Sequence, residues 1–371
     1  MRIAFHTPLN AFDDGRISGD RRMARQLAGC LAQLGHDVAP VSNARSYMTA
    51  PGALADIRTE AAARLETQLA TWRDHGGAPE LWFTYHSYYK APDLLGPAVA
   101  ARLRIPYVVA EASDSRRRAT GEWAEAVALA RSSFTAADLH LCFTAQDRES
   151  ITPWLRPGAA MRDLKPFIDT TPFVGTRPPH AGAPRLVTLA MMRGGVKHES
   201  YLALAATLAR LADREWNLTI IGDGPMRGDV EAAFAALPPG RVVWRGALGH
   251  EAIPAELSRH DIFVWPGIGE AYGLVYLEAQ AAGLPVVAFA SGGVPETVRP
   301  GETALLVAER EDVALATELA RLIDDDALRA RMGAAAAAFI AAERSCNAAD
   351  RCLAEGIAAA IESHRSRQGE A

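Results

Sequence analysis

Short apolar runs alternate along the first half of the chain with segments in which apolar residues recur at helical spacing. In Arg21–Leu34 every third or fourth residue is apolar, so these residues share one face of a predicted helix. Helices are also predicted over Ala91–Leu103 and Trp123–Ala136. The apolar runs that we interpret as strands are Arg2–Thr7, Asp37–Val41, Leu81–Tyr85, Tyr107–Ala110 and Leu139–Phe143. Such alternation is typical of parallel sheets covered by helices.

The alternation begins again after Lys165–Pro184, a stretch that contains five prolines. Because prolines at this density favour neither helices nor strands, we interpret the stretch as an interdomain linker. The strands predicted after it are Leu186–Ala190, Leu218–Ile221, Val242–Trp244, Ile262–Trp265 and Val286–Phe289. The helices predicted between or after these strands include Tyr201–Ala212, Tyr272–Ala282 and Val313–Leu322.

The linker divides the chain into two predicted α/β domains, residues 1–170 and 171–349. The alanine-rich tail from Asp326 to Ile361 is predicted to be helical, and residues from about 350 to 371 are expected to pack back on the first domain. The last residues, Ser363–Ala371, are expected to fray. Open parallel sheets bind ligands at the carboxyl ends of their strands, so both domains should present loops to a cleft between them.

Composition narrows the function classes. The 371 residues suit two domains, and the net charge of -5 argues against a dedicated nucleic-acid-binding protein, which is usually basic. The four cysteines lack zinc-binding spacing, so free thiols in a reducing compartment are expected. There is no apolar run typical of a signal peptide or a membrane-spanning helix. We therefore expect a cytoplasmic protein, with attachment to the inner face of a membrane left open.

The segment from Trp265 to Val287 contains the strongest candidate chemistry. A strand leads into a loop rich in glycine and proline, and a helix is predicted to begin near Tyr272. The free N–H groups and positive dipole end of such a helix suit a phosphate, and Gly273 allows a ligand close to the backbone. Glu270 lies just before this helix, while Glu278 lies inside it, where a carboxylate can accept hydrogen bonds from vicinal hydroxyls. Taken alone, either glutamate could instead be an ordinary helix charge or a solvated residue.

This segment resembles the Glu-x7-Glu signature of the retaining GT-B glycosyltransferases, in particular glycosyltransferase family 4. The resemblance covers nearly all of the second predicted domain and is weaker in the first. Further segments that resemble the family are Leu218–Pro225, Val243–Gly246, Ser291–Val298, Gly301–Leu306, Ser18–Asp20 and Gly35–Val38. The resemblance implies an α/β protein of the GT-B fold, with two Rossmann-like domains facing a central cleft.

The resemblance also implies roles on the donor side. Glu270 would contact hydroxyls of the donor sugar, and Glu278 would bind the ribose. Backbone N–H groups near Gly273 and Leu274 would hold the diphosphate, and Ala271 and Tyr272 are also expected among the donor-binding residues. Arg193 and Lys197 fit the family's pair of cations, which would stabilise the charge that grows on the leaving nucleoside diphosphate. Without this context, both cations would be read as surface charges.

Three further loops receive looser assignments from the resemblance. Gly222 and Gly224 match the family's loop on the nucleotide side, and Arg245 and Leu248 fall where its base-recognition loop lies. Gly19 matches one glycine of a Gly-Gly loop near the donor phosphates. The adjacent Ser18 or Asp20 could instead be a helix N-cap.

The first predicted domain should bind the acceptor. The family often has a histidine where this sequence has Glu111, which could orient the acceptor or the donor sugar, or be a structural loop carboxylate. His86 follows another strand in a tyrosine-rich segment, which suggests either acceptor contacts or an aromatic edge of the core. Asp114 and the arginines at 116–118 form a charge cluster that could meet an anionic acceptor or lipid headgroups, or be a solvated loop.

The expected reaction is retaining transfer of a hexose from a nucleotide diphosphate sugar to an acceptor hydroxyl in glycan or glycolipid biosynthesis. UDP-sugars are the expected donors, since the family uses them most often, and neither a metal nor a further cofactor is expected. Glycans, lipids and small molecules all remain acceptor candidates. One alternative is a catalytically inactive sugar-nucleotide-binding protein. Another is a dinucleotide-dependent oxidoreductase, which would need a Gly-x-Gly-x-x-Gly loop after a strand; none follows Arg2–Thr7.

Overall fold

The computed structural model describes residues 1–10, 18–41, 45–173 and 182–369. The chain divides into two compact units. Unit 1 consists of Met1–Lys165 together with Cys346–Ala371, and unit 2 consists of Pro166–Ser345. The first crossing between the units therefore falls at the start of the predicted linker Lys165–Pro184, of which residues 174–181 lie outside the described residues.

Unit 1 is built on a parallel sheet of six strands, counted over the described residues, in the order β2-β1-β3-β4-β5-β6. The strands are β1 (Arg2–His6), β2 (Asp37–Pro40), β3 (Leu81–Tyr85), β4 (Tyr107–Ala110), β5 (Leu139–Cys142) and β6 (Ala160–Asp163). The helices between them are α1 (Gly19–Gln33), α2 (Leu54–His75), α3 (Gly96–Leu103), α4 (Ala124–Ala136) and α5 (Ala145–Ile151). Every residue of β3, β4 and β5 is buried, as expected for central parallel strands covered on both faces.

Unit 2 repeats this design with a parallel sheet, six strands among the described residues, in the order β12-β11-β10-β7-β8-β9. The strands are β7 (Arg185–Leu189), β8 (Asn217–Ile221), β9 (Val242–Gly246), β10 (Ile262–Val264), β11 (Val286–Phe289) and β12 (Ala304–Val307). The helices are α6 (Val196–Ala209), α7 (Arg227–Phe234), α8 (Ile253–Leu257), α9 (Leu274–Ala281), α10 (Asp312–Asp324) and α11 (Asp326–Glu343). The central strand β7 thus lies between β10 and β8, so the loops that follow these three strands share one edge of the sheet.

The last helix, α12 (Cys346–Gly369), belongs to unit 1 and packs against α1 and against strands β4 to β6. Gly356 allows the close approach, because a Cβ there would lie 3.1 Å from the side chain of Leu139. The expectation that residues from Ser363 onward fray was wrong for the described part. The helix continues to Gly369, and the buried His364 bonds through Nε2 to the carbonyl oxygen of Arg104 at 2.9 Å.

Two differences from the predicted elements have simple physical causes. The helix predicted from Ala91 begins only at Gly96, since the Asp93 carboxylate accepts hydrogen bonds from the N–H groups of residues 95 and 96. Helix α2 was not predicted, because only Leu54 and Leu65 of its 22 residues are buried and the sequence shows no apolar stripe.

The described helices include none that is both long and apolar enough to cross a membrane. All four cysteines are free, as expected.

Candidate functional site

Most of the residues predicted on the donor side lie in unit 2 on loops at one edge of the sheet. Arg193 and Lys197 follow β7, the Gly222–Gly224 loop follows β8, and Glu270 follows β10. Because these strands are neighbours in the order β10-β7-β8, the topology brings the three loops together. Residues separated by more than 70 positions in the sequence therefore meet at the carboxyl ends of the strands.

Lys197 and Glu270 form an ion pair at this edge. The ammonium Nζ of Lys197 is in direct contact with Oε2 of Glu270, and the two side chains are 25% and 16% exposed. The same ammonium lies 5.6 Å from the centre of the Trp265 ring, a distance at which a cation is attracted to an aromatic face. The pair is thus partly desolvated but open to solvent, so a ligand can reach both charges.

Hydrogen bonds hold the loop that carries Glu270 in place. Ser200 accepts a hydrogen bond from the backbone N–H of Ile268 at 2.9 Å and donates one to the carbonyl oxygen of Val196 at 2.7 Å. The backbone carbonyl of Glu270 accepts a hydrogen bond from the N–H of Gly293 at 3.1 Å. A Cβ on Gly292 would overlap with the Glu270 carbonyl oxygen, so glycine is required at position 292. The sequence interpretation did not identify Ser200, which lies in the polar first turns of α6, before the predicted start of the helix, and belongs to no motif.

Helix α9 begins at Leu274, two residues later than predicted, with Gly273 at its N-cap. Gly273 adopts a φ of 75°, and a Cβ there would lie 2.7 Å from the ring of Tyr276. No side chain among the described residues caps this helix end. The N–H of Tyr276 bonds to the carbonyl oxygen of Gly273 at 3.1 Å, and the positive dipole end of the helix, with the N–H groups before Tyr276, suits an anion. Ala271 and Tyr272 precede the helix as loop residues, the first exposed and the second buried.

Glu278 is a buried carboxylate on α9, with 3% of the residue exposed. The alternative that it is a solvated surface residue was therefore wrong. Its Oε1 atom lies 3.7 Å from Nδ1 of His250, a half-exposed residue in the short turn after β9. The sequence interpretation missed His250, because a single histidine in a polar turn carries no motif.

Gly222 and Gly224 pack tightly against the loop that follows β7. A Cβ on Gly222 would overlap with the carbonyl oxygen of Ala190, and one on Gly224 with that of Met192. The N–H of Met192 also donates a hydrogen bond to the carbonyl oxygen of Asp223 at 3.0 Å. Both glycines therefore fix the backbone immediately before Arg193.

The other donor-side residues differ in their surroundings. The Arg193 side chain is exposed and has no ion pair or side-chain hydrogen bond among the described residues. The guanidinium of Arg245 is bound to both oxygens of Glu256, at 3.1 and 3.0 Å, and so is engaged within the protein. Leu248 is partly buried against the core of unit 2.

In unit 1, the two acceptor-side candidates His86 and Glu111 lie together with Asp20. His86 and Glu111 follow the neighbouring strands β3 and β4, and Asp20 lies in the first turn of α1. Nδ1 of His86 lies 2.6 Å from Oδ1 of Asp20 and 3.5 Å from Oε1 of Glu111. Both His86 and Glu111 adopt left-handed backbone conformations, with φ of 61° and 54°. Such strain in non-glycine residues is common at functional sites.

This cluster shifts the pKa values of its members. Burial lowers the pKa of His86, but the carboxylates of Glu111 and Asp20 outweigh it and raise the pKa to about 9. Burial raises the pKa of Glu111 to about 7, although the His86 imidazolium acts in the opposite direction. The imidazole is therefore mostly protonated near neutral pH, whereas Glu111 is close to its midpoint.

The residues around this cluster are placed as follows. Ser18 is the N-cap of α1, since its hydroxyl accepts a hydrogen bond from the N–H of Arg21 at 3.2 Å, and Gly19 is the first residue of the helix. Asp20 bonds to His86 and does not cap the helix. Asp114 forms a bidentate ion pair with Arg131, in which Nε and Nη2 of the arginine donate to the two carboxylate oxygens at 2.8 and 2.9 Å.

Aromatic rings continue outward from His86 in unit 1. The ring centres of His86 and Tyr88 are 5.3 Å apart, those of Tyr88 and Tyr89 are 5.6 Å apart, and Trp123 follows at 5.1 Å from Tyr89. Tyr85 lies in the core, with 1% exposed. The predicted aromatic segment thus contributes both to the core and to a half-buried surface beside the cluster. The arginines at 116–118 lie in an exposed turn.

The described residues include no group of three or more His, Cys, Asp or Glu side chains arranged to hold a metal ion. A cavity of about 760 Å³ lies in unit 2 between α6, α10 and α11. It is lined by residues of the turn after α6, such as Arg214, and by residues of α10 and α11, such as Leu328, and by none of the predicted site residues. The candidate site is therefore defined by its loops and charges and not by this cavity.

Known proteins resemble this chain in sequence and in fold. Residues 183–325 match the family described as glycosyl transferases group 1. The 2-deoxystreptamine glucosyltransferase of Streptomyces kanamyceticus is 36% identical over 138 residues, which cover 36% of this chain and 36% of the relative. The match therefore spans about a third of that relative's length.

Two solved structures match nearly the whole chain. Sucrose-phosphate synthase from Thermosynechococcus elongatus superposes with a TM-score of 0.71 at 20% identity, over 95% of this chain and 97% of that chain. Anabaena HepE in complex with UDP and glucose gives a TM-score of 0.69 at 17% identity, over 96% of this chain and 99% of that chain. At such identities the likeness shows the fold, which is GT-B with two Rossmann-like domains. Residues 183–325 of the chain are thus similar in sequence to the glycosyl transferases group 1 family.

Proposed function

We propose that the protein is a retaining glycosyltransferase that moves a hexose from a nucleotide diphosphate sugar to an acceptor hydroxyl, in glycan or glycolipid biosynthesis. The observation that supports this most is the ion pair between Lys197, in the first turn of α6, and Glu270, in the loop that leads to α9. No side chain of the described residues caps the N-terminus of α9. The cation and the backbone N–H groups at the start of α9 suit the phosphates of a donor, and the carboxylate suits the hydroxyls of its sugar.

The diphosphate would bind at the start of α9, near Gly273 and Leu274, where the helix dipole favours negative charge. Lys197 would act on it as a point charge, and the exposed Arg193 would bind a phosphate through two N–H groups. Glu270 would accept hydrogen bonds from hydroxyls of the sugar. Glu278, buried on the same helix, would accept them from the ribose.

In the proposed reaction, the bond between the anomeric carbon and the phosphate oxygen breaks while the acceptor oxygen bonds to the same face of that carbon. The acceptor proton passes to an oxygen of the leaving phosphate. Charge that develops on the nucleoside diphosphate would be stabilised by Arg193, Lys197 and the N-terminus of α9, without a metal ion or other cofactor. Because the acceptor oxygen itself attacks the anomeric carbon in this step, no protein nucleophile is needed, and we assign Glu270 to the sugar hydroxyls.

The acceptor would bind in unit 1 at His86 and Glu111. A protonated imidazole can donate a hydrogen bond, and a carboxyl group near its midpoint can donate or accept one, so the pair suits a hydroxylated acceptor. The name of the Streptomyces relative supports keeping small-molecule acceptors beside glycans and lipids. We place the protein in the cytoplasm, and the exposed arginines at 116–118 would permit contact with the inner face of a membrane.

We propose UDP-sugars as the donors, supported by the fold shared with a protein solved with UDP and glucose. The test is incubation with UDP-, GDP- and ADP-sugars and a panel of acceptors, followed by NMR of the product's anomeric proton. A product with the configuration of the donor sugar is expected. An inverted product would contradict retention, and donor binding without transfer or hydrolysis would indicate an inactive binding protein.

A separate test concerns metal ions. Addition of EDTA should leave the transfer rate unchanged, and full loss of transfer would contradict the proposal of a metal-free reaction.

A further inference from the structure

His250 lies against the buried carboxylate of Glu278 and has no part in the donor chemistry described so far. Its Nδ1 atom is 3.7 Å from Oε1 of Glu278. The imidazole side chain is 50% exposed, whereas that of Glu278 is 4% exposed. A ligand that approaches this carboxylate oxygen from solvent therefore meets the His250 ring.

The backbone around His250 fixes this position. The residue opens a short turn, His250–Ala252, that leads into α8. On its amino-terminal side, Leu248 packs against the core of unit 2. On its carboxyl-terminal side, the buried Ile253 begins α8. Because Leu248 and Ile253 hold the chain on both sides of His250, the imidazole can affect the orientation of the Glu278 carboxylate in the free protein.

We propose that His250 determines specificity for the nucleoside part of the donor, by orienting the Glu278 carboxylate toward the ribose hydroxyls and by contacting the nucleoside itself. This inference rests on the proposed function. A separation of 3.7 Å exceeds hydrogen-bond length, so ribose hydroxyls can bind the carboxylate without displacing the imidazole. The ring limits where the carboxylate points and covers one side of the ribose.

Such a role has a defined kinetic signature. The ribose is remote from the bond that breaks, so its contacts are the same in the bound donor and in the transition state. Loss of such contacts raises KM and leaves kcat nearly unchanged. A residue that only supported the fold would instead lower the amount of active protein or the melting temperature.

The experiment uses the full chain and calorimetric titration with UDP and 2′-deoxy-UDP, and with GDP and 2′-deoxy-GDP as a second pair. The variants are His250→Ala, His250→Gln, which keeps an N–H donor, and Glu278→Gln. The matched control is Glu251→Gln, an exposed residue of the same turn. The melting temperature of each variant is measured without ligand.

We expect His250→Ala to weaken binding of the ribonucleotide about tenfold. This corresponds to the loss of one hydrogen bond between a ribose hydroxyl and the charged carboxylate of Glu278. Binding of the 2′-deoxy analogue should change much less, so the variant loses its preference for ribose. His250→Gln should restore part of this preference, and Glu251→Gln should match the wild type. The double variant His250→Ala/Glu278→Gln should bind the ribonucleotide little more weakly than either single variant, since both residues act on the same ribose hydroxyls.

Unchanged ribonucleotide affinity and unchanged ribose preference in His250→Ala would overturn the inference while leaving the proposed function intact. Equal weakening toward the ribose and deoxyribose forms would also overturn it. If neither nucleotide pair binds the wild type, the proposed function fails, and the inference fails with it.

Discussion

At the scale of single residues, the contact between Lys197 and Glu270 determines the state of the free site. Each charge is held by the other, with Trp265 beneath the ammonium, so the pair is in place before a ligand arrives. A bound diphosphate would draw Lys197 toward the start of α9 and free Glu270 to accept hydrogen bonds from sugar hydroxyls. Lys197 would then exchange Glu270 for a phosphate, and Glu270 would exchange Lys197 for sugar hydroxyls. Each side chain would remain about as desolvated as it is in the free protein.

We therefore expect Glu270→Ala and Lys197→Ala each to lower the transfer rate by a factor of about 100 to 1,000, as removal of one electrostatic contact to a transition state does elsewhere. Far-ultraviolet circular dichroism should be unchanged, because both side chains lie outside the core. Glu199→Ala is the matched control, since Glu199 lies on the same helix and pairs at the surface with Arg310. Wild-type rates in both site variants would contradict the assignment.

A second residue-scale prediction concerns protonation in unit 1. The pKa of His86 in the folded protein is about 9, above its ordinary value of 6.5, so its stabilising effect is complete below pH 6.5 and is lost as the pH rises through 9. The pKa of Glu111 is also raised, to about 7, in this case by burial. Ionisation of this carboxyl therefore also lowers the stability of the folded protein as the pH rises. The stability from Glu111 is lost between pH 4.5 and about 7, and that from His86 between pH 6.5 and about 9, so unit 1 becomes less stable as the pH rises across this range.

NMR titration of histidine-labelled protein checks this directly. The His86 resonance should titrate near pH 9 in the wild type, and Asp20→Asn should lower that pKa by one unit or more, since a neutral amide replaces a carboxylate at 2.6 Å. His36, which follows the carboxyl-terminal end of α1, serves as an internal reference, because burial lowers its pKa and Asp20 is not among the causes. A wild-type His86 that titrates near 6.5 would show that the cluster does not form in solution.

At the scale of secondary structure elements, burial accounts for part of the sequence interpretation's accuracy, although the edge strand β2 was predicted without a buried residue and the half-buried β12 was not predicted. Strands β3, β4 and β11 have the predicted bounds, because strands buried on both faces are continuous apolar runs that end where the chain reaches solvent. The edge strand β6 was not predicted, since none of its four residues is buried. Helix α2 was missed for the same reason, as most of its side chains face water.

The candidate site shows the same division. Glu270, Gly273 and Glu278 could be predicted because they share one continuous motif with a definite spacing. His250 and Asp20 could not, since each acquires its partner only through the fold, Glu278 for the first and His86 for the second. Side chains that function through one contact with a distant residue leave no periodic signal in a single sequence.

The glycine loop after β8 gives a prediction at this scale. Gly224→Ala should destabilise unit 2 by about 2 kcal/mol or more, because the added Cβ overlaps with the Met192 carbonyl and the backbone must move. Denaturant unfolding and nucleotide affinity should both be affected, since the same backbone precedes Arg193.

Gly228→Ala is the matched control for that change. Gly228 lies nearby in α7, and a Cβ there meets nothing within 4 Å. In a helix, alanine is favoured over glycine by about 0.5–1 kcal/mol, so this variant should be equally or more stable than the wild type. Equal stability of the two alanine variants would show that the loop is not packed as described.

At the scale of the whole molecule, each unit has its own sheet and its own core, and α12 completes unit 1 from the far end of the sequence. Leu353 on α12 is fully buried. Leu353→Ala should therefore lower the stability of unit 1 by about 2–5 kcal/mol, the usual effect of such a truncation in a core. Hydrogen exchange should increase in β4 to β6, with exchange in β7 to β12 unchanged.

Glu355→Ala, an exposed position two residues further along α12, should leave both units unaffected. Faster exchange in unit 2 as well would show that the two cores unfold as one. Unchanged exchange in unit 1 would show that α12 does not cover its sheet in solution.

The most direct test of the central claim is calorimetric titration of UDP, GDP and ADP into the wild type and into Lys197→Ala. The account predicts that at least one nucleotide, with UDP the strongest, binds the wild type in a one-to-one ratio. It also predicts that Lys197→Ala binds that nucleotide about tenfold or more weakly, because a phosphate loses a charge-assisted contact. Absence of binding by all three nucleotides, or equal affinity in the wild type and the variant, would contradict the claim that these loops bind the donor diphosphate.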